Sequence, residues 1–95
     1  MQVIFIVSYK IKSQSKKDYF KTIKLIKAKM NELGMNYNVY EQKGKDIYFE
    51  FYFFDSYEEF DSMDENIPEN IKILIDTLKH YIDGEINYQT LIQME

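Results

Sequence analysis

Apolar and polar residues alternate with a period of two at the start of the chain. Val3, Phe5, Val7, Tyr9 and Ile11 share one parity, and Ile4, Ile6, Ser8, Lys10 and Lys12 share the other. β-Branched and aromatic residues in that rhythm predict a strand over 1–12. A polar break follows, in which Ser15 and Asp18 have the spacing of a capping box with Asp in the acidic position. Tyr19, Phe20, Ile23, Ile26, Met30 and Leu33 then recur at intervals of three and four with Lys on the other face, predicting an amphipathic helix that Gly34 stops. Alternation returns over 35–42, a turn containing Gly44 spans 42–46, and the next strand is predicted over 46–54. Asp55 and Ser56 can cap a short helix through Phe60. Pro68 suits the opening of a longer helix, whose stripe Ile71, Leu74, Ile75, Leu78 and Ile82 runs to Gly84. A last strand is expected over 85–94.

The order is βαββαβ in one domain over 1–95, which predicts an α+β, ferredoxin-like sandwich: a four-stranded antiparallel sheet with helices on one face. If the more uniformly apolar parity of each strand meets the helices, the core face is built from residues such as Val3, Phe5, Tyr37, Phe49, Phe51 and Tyr88. The opposite face then carries Ser8, Lys10, Tyr40, Tyr48, Glu50, Tyr52 and Leu91. So many large side chains facing water would form an apolar patch of the kind that a partner covers, and a second copy of the chain is the expected cover.

Along this order, the junction Phe53-Phe54-Asp55-Ser56-Tyr57-Glu58-Glu59-Phe60 resembles the dimeric α/β-barrel superfamily typified by antibiotic-biosynthesis monooxygenases, in which the third strand runs into a Ser-x-Glu-x-aromatic helix start. The resemblance implies a homodimeric α/β barrel whose facing sheets enclose a cleft for a small, partly aromatic organic ligand. It also implies cofactor-independent monooxygenation as the candidate activity. The haem-degrading branch of that superfamily uses an Asn, a Trp and a His; this chain has no Trp and no Asn on its first strand.

Composition narrows the chemistry further. There is no Cys, hence no disulfide, thiolate nucleophile or thiolate metal site, and a single His removes multi-histidine metal centres. All twelve basic residues are Lys, so bidentate guanidinium clamps on phosphate or carboxylate are absent. The net charge is −4, with Lys concentrated in the first third and acidic residues between Asp55 and Glu69. That acidic stretch lacks the alternating ligands and central Gly of a calcium loop and is expected to be a solvated surface. No metal and no cofactor are expected.

RNA-binding domains share the βαββαβ order. Here, however, Lys45 and Asp46 stand where their third-strand motif needs an aromatic and a small residue, and Glu50 sits in the middle of the sheet, so no nucleic-acid partner is expected. No apolar run is long enough to span a membrane and no signal-peptide pattern opens the chain, which reads as cytoplasmic without a membrane partner. His80 falls opposite the apolar stripe of its helix and is expected to point to solvent. The candidate site is Glu50 as general base, with Tyr40, Tyr48, Tyr52, Ser8 and Lys10 as ligand-binding neighbours in the inter-sheet cleft. The alternative is a non-catalytic dimerisation or partner-binding module in which the same residues fill an interface.

Overall fold

Period-two segments form the strands, and segments spaced by three and four form the helices. In the computed structural model, which describes residues 1–94, the elements are β1 (Val3–Lys10), α1 (Lys16–Glu32), β2 (Asn36–Glu41), β3 (Ile47–Phe54), α2 (Tyr57–Asp61), α3 (Met63–Asn66), α4 (Glu69–Leu78) and β4 (Asn87–Ile92). Single 3₁₀ turns at Ser13–Ser15 and Lys79–Tyr81 lead into α1 and out of α4. The four strands pair antiparallel in the order β2-β3-β1-β4, the ferredoxin-like arrangement. Among the described residues, no helix is long and apolar enough to cross a membrane.

Local signals explain most boundaries. At the end of α1, Gly34 adopts φ 75°, its N–H donates to the Asn31 carbonyl, and the Met35 N–H reaches back to the Met30 carbonyl. These are the two bonds of a Schellman motif, and glycine reaches the left-handed conformation without the Cβ penalty. Gly34→Ala should cost about 1 to 2 kcal/mol in urea unfolding, the price of left-handed backbone for a residue with a side chain. At the start of α2 the Ser56 hydroxyl accepts from the Glu59 N–H, and the Glu59 carboxylate accepts from the Asp55 N–H. Ser15 occupies the N-cap of α1 but makes no side-chain cap bond, because the 3₁₀ turn enters the helix with Ser15 already near helical backbone angles. The α4 stripe stops at Leu78, short of Gly84: the chain tightens into the 3₁₀ turn so that Ile82 can bridge Ile11 beside β1.

The largest departure from expectation is the parity of β3. Val3, Tyr9 and Ile11 of the first strand segment are buried beneath the helices, and the register sets Val3 against Phe54, Phe5 against Tyr52, Val7 against Glu50 and Tyr9 against Tyr48. Directly opposed residues share a face. The Tyr48, Glu50, Tyr52, Phe54 set therefore points into the core, and the Ile47, Phe49, Phe51, Phe53 set lies on the open face. Uniform apolarity was a poor guide to direction, because both faces of β3 are apolar enough to bury. Polar pairing separates them: Tyr9 and Tyr37 also point inward, and their hydroxyls need the acceptor that only the Glu50 parity supplies.

In α1, Tyr19, Ile23, Ile26 and Met30 are buried, whereas Phe20 and Leu33 at the margins of the stripe are exposed. Every residue of the edge strand β4 is exposed, including Tyr88 and Ile92 on the helix side.

Candidate functional site

Glu50 is 3% exposed at the centre of β3, in the layer between sheet and helices. Three phenols converge on it. The Tyr37 hydroxyl donates to Oε1 at 2.6 Å, the Tyr9 hydroxyl donates to Oε2 at 2.7 Å, and the Tyr52 hydroxyl makes a longer contact with Oε1 at 3.4 Å. The Tyr19 hydroxyl of α1 lies 2.8 Å from that of Tyr9 and extends the network away from the carboxylate. Neighbouring strands supply this cluster by register, since Glu50 faces Val39 on β2 and Val7 on β1, with Tyr37 and Tyr9 two residues along on the same face.

Burial raises the Glu50 pKa above the ordinary carboxyl value, and the three phenolic donors pull it only part of the way back. Burial also raises the pKa values of Tyr9, Tyr37 and Tyr52, with the nearby carboxylate as the next contribution, so these phenols stay neutral donors. The result is a proton-avid carboxyl group held in one orientation. A carboxylate offers about four acceptor positions, and the phenols fill three.

Glu50, Tyr9 and Tyr52 line a cavity of about 410 Å³ between the sheet and the α3–α4 layer. Its walls are mostly apolar, with Phe5, Val7, Ile75, Leu78 and Tyr88 among them. Phe5 is the aromatic centre of this wall, with ring centroids 5.8 Å from Tyr52, 5.8 Å from Phe60 and 6.1 Å from Tyr88. The volume falls in the range of small-molecule sites. A more polar cleft of about 500 Å³ near Gln2, Asn36 and Asn66 has no buried carboxylate among its lining residues. Among the described residues, no group of three His, Cys, Asp or Glu side chains is placed to hold a metal ion.

The six residues expected to share one cleft are divided between the two faces of the sheet. Glu50, Tyr48 and Tyr52 lie on the helix side, and Ser8, Lys10 and Tyr40 lie on the open side. Lys10 stands opposite Ile47 and not beside Glu50. Tyr48 is buried on the Glu50 side of the sheet, but its hydroxyl donates to Glu41 at 2.6 Å and does not line the cavity. The cavity beside Glu50 thus lies between the sheet and helices of one chain, not in a cleft between two sheets. His80 is exposed, although it lies in the 3₁₀ turn after α4 and not on the helix itself. Tyr9, Tyr19 and Tyr37 were missed as partners of Glu50. Their signal was present as inward-pointing phenols lacking an acceptor, in a sheet whose only mid-strand carboxylate is Glu50.

No family model matches the chain, and no curated protein matches it in sequence. Solved structures do match in shape. A conserved protein from Methanosarcina mazei Go1 superposes with TM-score 0.84 at 14% identity, covering 99% of this chain and 94% of that one. A crystallised antibiotic biosynthesis monooxygenase superposes with TM-score 0.80 at 10% identity, over 98% of this chain and 99% of the other. The chain shares the fold of these structures. A variant of SnoaB, a cofactor-independent oxygenase from Streptomyces nogalater, also carries it, with TM-score 0.77 at 9% identity over 99% of this chain and 94% of that one. Identities this low carry the fold alone and leave the chemistry to be argued from the residues of this chain.

Proposed function

We propose that the chain binds a small, partly aromatic organic molecule in the cavity beside Glu50 and oxidises it with dioxygen without a cofactor, as a homodimer in the cytoplasm joined through the open sheet face. The observation that carries this reading is the buried, proton-avid Glu50 carboxyl group at the wall of an apolar cavity. A methylene activated by flanking rings and a carbonyl would lose one proton to Glu50. The electron pair left on carbon passes to dioxygen and a C–O bond forms, and Glu50 returns its proton to the peroxide oxygen to give a hydroperoxide. Glu50 then takes the second proton from the same carbon as the C=O bond forms and the O–O bond breaks, and passes it to the departing hydroxide, so that CH₂ and O₂ become C=O and H₂O. The chain supplies the base, the orientation of the ring and the exclusion of water.

The test is oxygen uptake with an anthrone as the probe. Uptake above the spontaneous background is expected, and Glu50→Gln should lower the catalysed rate by about 10²- to 10⁴-fold, the usual worth of a positioned base. An equal rate in the variant would remove Glu50 from the chemistry. A second reading, a non-catalytic dimer, is favoured by the internal satisfaction of Glu50, which leaves the core complete without a ligand. Native mass spectrometry showing a dimer free of extra mass, together with no uptake, would establish that reading instead.

A further inference from the structure

The helical wall of the same cavity carries charges that the proton chemistry does not use. Asp64, Lys72, Asp76 and Lys79 all line it. Asp76 is engaged by Lys79 at 3.3 Å, and both are well exposed. Lys72 is half-buried, and among the described residues it makes no ion pair, although Glu69 and Asp76 stand three and four residues away on its own helix. Those are the spacings at which helix ion pairs ordinarily form. Lys72 also belongs to the first turns of α4, where the helix dipole disfavours a cation. Neither helix electrostatics nor a partner side chain accounts for an ammonium group here. Asp64, the other unpaired charge on this wall, is exposed and more strongly screened by water.

Sheet and helix thus place the Glu50 carboxyl group on one wall and Lys72, which has no ion-pair partner among the described residues, on the other, with aromatic and aliphatic side chains between them. We propose that the ligand is an aromatic carboxylate whose anionic end is held by Lys72 while its ring lies on the Phe5, Tyr52 and Tyr88 wall beside Glu50. This rests on the reading of the cavity as the ligand site. A lysine suits a single anionic group held as a point charge, and the apolar walls reward the ring.

Isothermal titration with 2-naphthoate and 2-naphthalenemethanol, which share a ring system and differ in charge, tests the assignment on the intact chain. The wild type should bind the carboxylate at least tenfold more tightly than the alcohol. Lys72→Gln should bring the two to parity by weakening the carboxylate alone, with the alcohol affinity unchanged. Equal affinities in the wild type, or a preference that survives Lys72→Gln, would overturn the anion assignment, and a bound alcohol would leave the cavity reading standing. Failure of the wild type to bind either molecule would overturn both.

Discussion

Glu50→Gln should make the protein more stable above the ordinary carboxyl range, and the gain should grow with pH until Glu50 is fully ionised in the fold. In the fold, burial lifts the carboxyl pKa above its ordinary 4.5. An acid with a raised folded pKa binds more protons in the native state than in the unfolded chain. Its contribution to stability is therefore complete below the unfolded value and is lost as pH rises toward the folded one. Within that window the wild type should lose about 1.4 kcal/mol per pH unit relative to the variant. Each 1 kcal/mol corresponds to roughly 4 to 8 °C in melting temperature for a domain of this size. The amide keeps an acceptor for the Tyr37 or Tyr9 hydroxyl and carries no charge to desolvate, so the variant should fold with the same core. Urea or thermal unfolding of both proteins from pH 4 to pH 9 measures the difference. Parallel profiles would mean that Glu50 titrates as it does in water, and the argument for a proton-avid base would fall with that result. A stabilised variant that is also a dead catalyst would be the signature of a carboxylate kept at a cost for its chemistry.

Substitutions at adjacent positions of β3 should produce opposite failures. Phe51 lies on the open face, edge-on to Tyr40 with ring centroids 5.3 Å apart and stacked near Phe53 at 6.0 Å. Tyr40, Phe49, Phe51 and Phe53 together line a shallow apolar depression there. If the open face joins two copies as proposed, Phe51→Lys should place a charge in that interface while leaving each chain folded, so light scattering should report monomers with a native far-ultraviolet spectrum. Tyr52, one residue on, is 5% exposed beneath the helices, with its ring 4.9 Å from that of Tyr37. Tyr52→Lys would bury an unpaired ammonium in the core, a cost of several kcal/mol against the roughly 5 to 15 kcal/mol that holds a domain together, and should yield unfolded or insoluble protein. A Phe51→Lys dimer of unchanged stability would move the interface to another surface, such as the exposed β4 edge with Leu91 and Ile92.

The contrast between Phe51 and Tyr52 shows where sequence reading reached its limit. Strand β3 was legible because alternation alone identifies it, and its ends fall within a residue of expectation. Which of its faces turns inward was not legible from apolarity, since four aromatic or aliphatic residues occupy one parity and three aromatics surround a carboxylate on the other. Glu50 stands out in the sequence as a lone carboxylate among aromatics, and the structure buries it among phenols. Its neighbourhood was assigned to the wrong side of the sheet, which is why Ser8, Lys10 and Tyr40 were grouped with it and Tyr9, Tyr19 and Tyr37 were not.

The sequence by itself determined the βαββαβ order of the strands and principal helices, the helix stop at Gly34, the α2 cap at Ser56 and the ferredoxin-like class, but not α3 at Met63–Asn66, where a loop is expected. Each follows from local periodicity, backbone preference or short-range hydrogen bonding, which neighbouring residues impose on one another. The tertiary structure alone decided the register of β1 on β3, and with it the inward face, the phenol cluster around Glu50 and the cavity between sheet and helices. Those depend on pairing residues some forty positions apart, where a shift of one residue exchanges the two faces of a strand and only the joint satisfaction of buried hydroxyls and a buried carboxylate selects between them.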